Sequence, residues 1–278
     1  MSAVTVTPLP SGAQLTTINH GRYKTHSYQA PDKYFGDTSH IIETPCKVII
    51  IDSQYLKPFA QELRSIVDSL EKEIVGIIIS HPHPDHFLGL GAAFTDIPIY
   101  AIPAVQKVIA DKGQAMLEES LQTIPEEMLA DKVVVPNHLL CPGHIEVDGL
   151  HIILMFLQKG EAKDQVVIKL PQLKTIIVQD LAYNGFHPWL SKYIGHWRRI
   201  LCTFRDDCCY RIVLVGHGPP ANHDIFAKMI TYLDTAYTIS CHSQTIGKFK
   251  EQLIEAYPNL EGAKLINMYS ETLFKGFP

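Results

Sequence analysis

Short apolar runs that stop at a polar residue recur along the chain. Four of them, residues 47–51, 74–79, 175–178 and 212–215, are rich in Ile and Val, and this length and composition are typical of buried strands. The residues that follow them are Asp52, Ser80-His81, Gln179-Asp180 and Gly216-His217. Because loops at strand ends are where a rigid sheet presents polar groups to a cleft, the pattern predicts a functional site there.

Helical periodicity separates these runs. Phe59, Leu63, Ile66, Val67 and Leu70 share one helical face. Further helices are predicted at 88–94, at two places within 104–130, within 188–204, around 226–237 and at 246–256. Further strands are predicted at 15–18, 40–43, 99–101 and within 132–168, with a turn at Asp148-Gly149. Strands that alternate with helices, without an internal repeat or a Gly/Ser linker, predict a single α/β (α+β) domain over residues 1–278.

Composition and charge narrow the function classes. Hydrophobic residues make up 46% and charged residues 19% of the chain, which is ordinary for a globular protein, and the formal net charge is -5. No basic stripe favours nucleic acid or an anionic membrane, and no run reaches the roughly 18 apolar residues of a membrane span. The N-terminus lacks the pattern of a secretory signal, and the six cysteines lack CxxC spacing. We therefore expect a cytoplasmic protein with reduced thiols and a small-molecule substrate, its oligomeric state left open, with a homodimer as one option.

Four side chains that commonly bind metals lie within six residues, in His81-Pro82-His83-Pro84-Asp85-His86. On an extended segment side chains alternate, so His81 and His83 project to the same side and can reach one cation. Asp85 and His86 come after the bend and can serve a second cation. Neutral imidazole suits zinc, and a carboxylate suits zinc, iron or manganese. The alternative is a solvated turn in which Asp85 caps the next helix, and the two apolar segments around the motif disfavour it.

The motif resembles the HxHxDH signature of the metallo-β-lactamase superfamily, and the resemblance covers most of the chain. It implies a four-layer αββα sandwich, in which two mixed β-sheets are flanked by helices. It also implies that Asp180 and His217 complete the site, because the family's later ligands include an Asp that closes a strand and a His in a final Gly-His pair. The family usually carries Gly before that Asp, whereas this chain has Gln179.

The chain departs from the family pattern at the third His. Counting back from Asp180 to that position leads to Glu161 (180 − 161 = 19). Glu161 is expected to coordinate through oxygen, to bind through a water, or to leave the first metal weakly held; an exposed turn glutamate is the alternative. His144, in Pro142-Gly143-His144, looks like the missing Gly-His turn, but it precedes Asp180 by too many residues (180 − 144 = 36) to be favoured as a ligand.

The resemblance thus implies two metal positions that share one carboxylate. The first would use His81, His83, Glu161 and Asp180, and the second would use Asp85, His86, Asp180 and His217. We expect two divalent ions, with Zn²⁺ favoured and iron or manganese as alternatives.

Two neighbouring cations imply hydrolytic chemistry. They lower the pKa of a bridging water toward neutrality and polarise a carbonyl oxygen, so the resemblance implies attack by a metal-bridging hydroxide. Asp180, as the bridge, and Asp85, which would also transfer protons as its family counterpart is thought to do, are the expected catalytic residues. Tyr183 and His187 follow Asp180 and are candidate substrate contacts, with simple packing against the next helix as the alternative.

The metal motif does not fix the substrate or even the reaction. An ester, thioester, lactone or amide of a small molecule is expected. Two other functions stay open, an iron-containing redox enzyme of the same fold that reduces oxygen or oxidises sulfur compounds, and a metal-binding protein without turnover. Glu161 suits iron, but di-iron members usually carry Glu where this chain has His83.

Overall fold

The computed structural model describes residues 3–269, in which runs of successive strands are separated by helices. The strands are β1 (Ala3–Pro8), β2 (Gln14–Asn19), β3 (Lys24–Gln29), β4 (Thr38–Glu43), β5 (Lys47–Ile51), β6 (Glu73–Ile79), β7 (Ile99–Ala101), β8 (His138–Leu139), β9 (Gly143–Val147), β10 (Leu150–Gln158), β11 (Asp164–Leu170), β12 (Thr175–Tyr183), β13 (Ile212–His217) and β14 (Ala221–Asn222). The helices are α1 (Lys57–Ser69), α2 (Pro84–Phe87), α3 (Leu90–Ala93), α4 (Pro103–Ser120), α5 (Ile194–Asp206), α6 (Ile225–His242), α7 (Ile246–Ala256) and α8 (Ala263–Asn267).

The strands form two mixed sheets. The first sheet has the order β1-β2-β3-β4-β5-β6-β7-β8, antiparallel from β1 to β5 and parallel from β5 to β8. The second sheet has the order β14-β13-β12-β11-β10-β9, and only the pair β12–β13 is parallel. Parallel neighbours end at the same edge of a sheet, so the ends of β5 and β6 meet in one sheet and those of β12 and β13 meet in the other.

Helices cover the outer faces of both sheets. Apolar side chains of α1, such as Phe59 and Leu63, belong to a core shared with the first sheet and with the inward face of the second. A second core packs the other face of the second sheet against α5, α6 and α7, with Trp197, Phe226 and Leu253 fully buried in it. The predicted αββα sandwich of two mixed sheets flanked by helices is confirmed.

Most predicted elements are present, and three predicted helices differ from the structure. Only α3 lies within the helix predicted at 88–94, and it is shorter than predicted: α2 ends before this range, and the backbone N–H of Gly89 donates to Gln54 instead of continuing a helix. The two helices predicted within 104–130 are α4 and a single 3₁₀ turn that begins after Pro125. The helix predicted from residue 188 begins only at Ile194, because the chain before it is tied to other segments, with the His187 N–H donating to Glu261.

Within residues 3–269, no helix combines the length and the apolar character needed to cross a membrane.

Candidate metal centre

The seven predicted ligand residues converge at one end of the two sheets. They come from the segment after β6 (His81, His83), the short helix α2 that Pro84 begins (Asp85, His86), the turn between β10 and β11 (Glu161), β12 (Asp180) and the last residue of β13 (His217). Five of the seven residues are almost completely buried. The exceptions are His83 and Asp85, whose side chains are 30% and 25% exposed. The site therefore opens to solvent on the side of these two residues.

The first group of donors consists of His81, His83, Glu161 and Asp180. His81 Nε2 lies 3.1 Å from His83 Nδ1, 3.7 Å from Glu161 Oε2 and 3.6 Å from Asp180 Oδ2. His83 Nδ1 lies 3.3 Å from Glu161 Oε1. One ligand atom from each residue falls within 4.8 Å of the others, so the four can surround a single cation.

The second group consists of Asp85, His86, Asp180 and His217, and one ligand atom from each of these residues also falls within 4.8 Å of the others. His86 Nε2 lies 3.5 Å from Asp85 Oδ2 and 3.2 Å from Asp180 Oδ1. His217 Nε2 lies 3.3 Å from both Asp85 Oδ2 and Asp180 Oδ2. Asp180 is the one residue that belongs to both groups, with its two oxygens facing different histidines.

Hydrogen bonds on the far side of three imidazoles select the tautomer that binds metals. Ser80 Oγ donates to Asp52 and so accepts from His81 Nδ1, 2.9 Å away. His86 Nδ1 donates to Asp52 Oδ2 at 2.7 Å, and His217 Nδ1 donates to the carbonyl of Phe35 at 2.9 Å. In neutral imidazole this leaves the lone pair on Nε2, which points into the site in all three residues.

Asp52 also contacts the site, although the sequence pattern placed it only at the end of a strand and gave it no role. It follows β5, is 1% exposed, and accepts hydrogen bonds from the backbone and hydroxyl of Ser80 as well as from His86. Asp52 also lies close enough to His81 and His86 to count as a potential third donor group. Because its oxygens are already occupied by these donors, we assign it to orienting His86. The available signal was an acidic residue at the end of a buried strand parallel to β6.

Unpaired polar atoms test whether cations fit this pocket. His86 Nε2, both carboxylate oxygens of Glu161 and Asp180 Oδ1 are buried and lack a partner in hydrogen-bond geometry among the described residues, although some lie within 3.2–3.3 Å of other ligand atoms. Leaving such atoms unsatisfied costs about 1–3 kcal/mol each, and more when the group is charged. Imidazole nitrogens and carboxylate oxygens converging on one space are the donor set of a divalent cation, so the residues fit the metals that the fold implies.

Burial and mutual charge shift the pKa values in the pocket. Burial lowers the pKa of His81, and the charge of His86 adds to this, so His81 is neutral. Burial also lowers the pKa of His86 and His217, but the negative charges of Asp180 and Asp85 outweigh it and hold both pKa values well above 6.5. Burial, reinforced by Asp180, raises the pKa of Glu161. Cation binding therefore has to displace protons, which makes it weaker in acid.

The two candidate substrate contacts, Tyr183 and His187, lie in different parts of the structure. Tyr183 lies in the site: its hydroxyl donates to Asp180 Oδ2 at 2.8 Å, and its ring stacks on His217 with centroids 4.7 Å apart. It is 3% exposed, so in this conformation it supports Asp180. His187 lies among the C-terminal helices, where its Nδ1 is 2.8 Å from the hydroxyl of Tyr232. His144 lies on the exposed strand β9, outside both donor groups.

Comparison with solved structures shows which proteins share this architecture. A metallo-beta-lactamase from Pontibacter korlensis has a TM-score of 0.59 and 16% identity, over 84% of this chain and 99% of its own. One from Erythrobacter litoralis has a TM-score of 0.59 and 13% identity, over 83% and 99%. The inverting sec-alkylsulfatase Pisa1 from a Pseudomonas species has a TM-score of 0.62 and 17% identity, over 81% of this chain and 44% of its own. At these identities the likeness shows the fold alone.

Sequence comparison identifies the family. A search among curated proteins gives no match. The family model described as the metallo-beta-lactamase superfamily matches residues 35–225, which is more than half of the chain and includes all seven ligand candidates. The chain therefore belongs to the metallo-beta-lactamase superfamily.

Proposed function

We propose that this protein is a hydrolase that depends on two divalent cations, held by His81, His83, Glu161 and Asp180 on one side and by Asp85, His86, Asp180 and His217 on the other. The observation that carries the proposal is the overlap of the two compact donor groups at Asp180. A carboxylate shared by two such groups can hold two cations close together, as in two-metal hydrolytic sites.

Two bound cations would supply Lewis acidity toward a carbonyl, phosphoryl or sulfuryl oxygen and would lower the pKa of a water molecule toward neutrality. The chain's own residues prepare the pocket for this. Ser80, Asp52 and the carbonyl of Phe35 hold three imidazoles with Nε2 inward. Tyr183 donates to Asp180 and restrains the shared carboxylate. Fixed positions of this kind reduce the reorganisation that a reaction would otherwise require.

Asp85 is the residue best placed to move protons. Burial disfavours its charged form, but His86 and His217 outweigh burial and hold its pKa well below 3.8, so it is ionised near neutral pH. Its side chain is 25% exposed and thus connects the buried donors with solvent. A carboxylate at the mouth of the site can accept a proton from the attacking water and pass it to the leaving group.

The substrate that we propose is a small molecule with an ester, thioester, lactone or amide bond. The solved structures with this fold include β-lactamases and an alkylsulfatase, which supports hydrolysis as the reaction class. The exposed fractions of His83 and Asp85 support an approach of the substrate from their side.

Turnover of generic ester and thioester substrates tests the proposal. The wild-type protein loaded with Zn²⁺ or Mn²⁺ should hydrolyse at least one of them, a chelator should abolish the activity, and His83→Ala should reduce it by at least about 100-fold, as expected for a lost ligand. His144→Ala, an exposed histidine outside the donor groups, is the matched control and should leave activity unchanged. Turnover that survives both the chelator and His83→Ala would refute the proposal.

An iron-containing redox enzyme is the second candidate function, and Glu161 is the observation that favours it. Its two oxygens face His81 and His83. Together with Asp180 it gives the first position two carboxylates beside two imidazoles, a donor set that suits iron. Metal analysis of protein purified from its native host distinguishes the two functions. Stoichiometric iron together with oxygen consumption would favour the redox enzyme, and zinc or manganese without it would favour the hydrolase.

A further inference from the structure

Gln179 adopts a backbone conformation that its side chain alone would not favour. It lies inside β12 with φ of 45°, in the left-handed region, where the pairing of β12 with β13 shifts register. For a residue other than glycine this conformation costs on the order of 1 kcal/mol. Glycine would avoid that cost, so the side chain of Gln179 must offset it by what it contacts.

The contacts of Gln179 cross from the second sheet to the first. The residue is 1% exposed, and its amide nitrogen donates to the backbone carbonyl of Thr38 at 3.3 Å and to Asp52 Oδ2 in a short hydrogen bond. In a regular strand, neighbouring side chains point to opposite faces. The left-handed backbone at Gln179 breaks this alternation, so that Gln179 and Asp180 both reach groups at the end of the first sheet.

The carboxylate of Asp52 accepts hydrogen bonds from both sheets. Its Oδ1 accepts from the backbone N–H of Ser80 at 2.7 Å. Its Oδ2 accepts from three groups, the hydroxyl of Ser80 at 2.6 Å, His86 Nδ1 at 2.7 Å and the amide of Gln179. With Ser80 approaching from one side and Gln179 from the other sheet, the carboxylate cannot rotate without breaking several bonds. The ring of His86, which depends on Asp52, is fixed in turn.

We infer that Gln179 is a positioning residue for the second cation: it holds Asp52, and through Asp52 the imidazole of His86, in the orientation that aims Nε2 at the site. The inference rests on the proposed function, since it requires that His86 binds a metal. Gln179 itself does not reach the cation. It joins the two sheets at the point where ligands from both sheets must meet.

Two substitutions separate this role from a purely structural one. Gln179→Met keeps the length and bulk of the side chain but removes the donor. Gln179→Gly removes the donor as well but suits the left-handed backbone, so it relieves strain. If Gln179 served only to fill space, Gln179→Met would be silent. If Gln179 positions His86, both variants weaken the second cation site, whatever each does to stability.

The experiment is a Co²⁺ titration of the metal-free full chain, followed by its visible absorption and by competition with a chelator, together with thermal unfolding of each metal-free variant. Both Gln179 variants should bind one Co²⁺ as the wild type does and the other about 10- to 100-fold more weakly, with a changed absorption spectrum. His217→Ala, which removes a direct ligand of the second position, identifies the binding step concerned. Gln114→Met, on an exposed helix face, is the matched control and should behave as the wild type.

The outcomes are distinguishable. Two Co²⁺ ions bound by Gln179→Met and Gln179→Gly with wild-type affinities and spectrum would overturn this inference and leave the proposed function intact. A wild-type protein that binds no Co²⁺ would overturn both. If Gln179→Met does not fold, Gln179→Gly decides, because glycine tolerates the backbone at this position.

Discussion

The Oε1 atom of Glu161 lies 3.3 Å from Nδ1 of His83, at the position where the family pattern has an imidazole. The side chain of Glu161 is fully buried in the turn between β10 and β11, and neither oxygen has a hydrogen-bond partner in residues 3–269. Both donor groups therefore contain two imidazoles and two carboxylates. The carboxylate adds a negative charge that an imidazole would lack, and oxygen donors favour harder cations.

Restoring the imidazole should change the metal preference of the first position. We expect Glu161→His to bind Zn²⁺ at this position at least about 10-fold more tightly than the wild type, relative to Mn²⁺, because nitrogen donors suit zinc and the buried carboxylate is gone. Competition titrations of the metal-free proteins with Zn²⁺ and Mn²⁺ measure this ratio. Superimposable zinc curves for the two proteins would show that Glu161 is not a ligand.

Gly216 leaves the space that Asp180 occupies. A Cβ atom at Gly216 would lie 1.8 Å from Asp180 Oδ1 and 2.9 Å from its backbone nitrogen. Gly216→Ala should therefore displace the shared carboxylate, destabilise the fold by about 1–3 kcal/mol as overpacking does, and weaken both cation positions. Metal stoichiometry and denaturant unfolding measure the two effects.

Gly195→Ala is the control for that substitution. Gly195 lies in α5, and no described heavy atom beyond its immediate surroundings lies within 4 Å of a Cβ placed there. Alanine is favoured over glycine in a helix, so this variant should be at least as stable as the wild type and bind both cations. Gly216→Ala with full metal content and unchanged stability would mean that Asp180 does not need its present position.

His40 predicts how the stability of the metal-free protein depends on pH. It is completely buried, its Nε2 donates to the carbonyl of Val215 at 3.1 Å, and its Nδ1 accepts from Ser27 at 2.9 Å, so it joins β4 to β13 in the neutral form. Burial lowers the pKa of His40 to about 4 from 6.5. Between these values the unfolded chain binds the proton and the folded chain does not, so this stabilisation is complete above pH 6.5 and declines toward pH 4.

Replacing His40 by Gln removes this dependence. At pH 7 His40→Gln should be less stable than the wild type by about 1–3 kcal/mol, the cost of disturbing buried hydrogen bonds. The difference should shrink as the pH falls from 6.5 toward 4.5. Denaturant unfolding of both proteins at a series of pH values measures it, and a difference that stays constant over this range would show that His40 is not neutral in the folded protein.

The elements easiest to predict from the sequence were those that bury apolar side chains on one or both faces. β5, β6, β12 and β13 are continuous Ile/Val runs, and α1 has a clear apolar stripe, so their positions could be predicted. β1 could not, because all six of its residues are exposed and carry no burial pattern. β3 could not either, because its buried positions include Thr25, His26 and Ser27, whose polarity is typical of loops. Only the neighbouring strands make these segments regular.

The residues of the site likewise divide into those that the sequence could predict and those that it could not. The residues from His81 to His86 lie together in the sequence, and Asp180 and His217 end strands, so the local pattern indicated them. The same pattern placed Asp52, Ser80 and Gln179 at strand ends, but it could not show that they orient the ligands. Asp52, Ser80, Gln179 and the carbonyl of Phe35 act through contacts that join segments far apart in the chain. The positive φ of Gln179 suits the glycine of the family pattern, and the hydrogen bond of its side chain to Asp52 is what the glutamine adds there.

Anomalous diffraction from crystals grown with Zn²⁺ or Mn²⁺ tests the central claim most directly, because it locates each cation without reference to activity. We predict two anomalous peaks on either side of the Asp180 carboxylate, one within coordination distance of His81, His83 and Glu161 and the other within coordination distance of Asp85, His86 and His217. A well-ordered crystal with excess cation and no peak among these residues, or with peaks only elsewhere, would contradict the account.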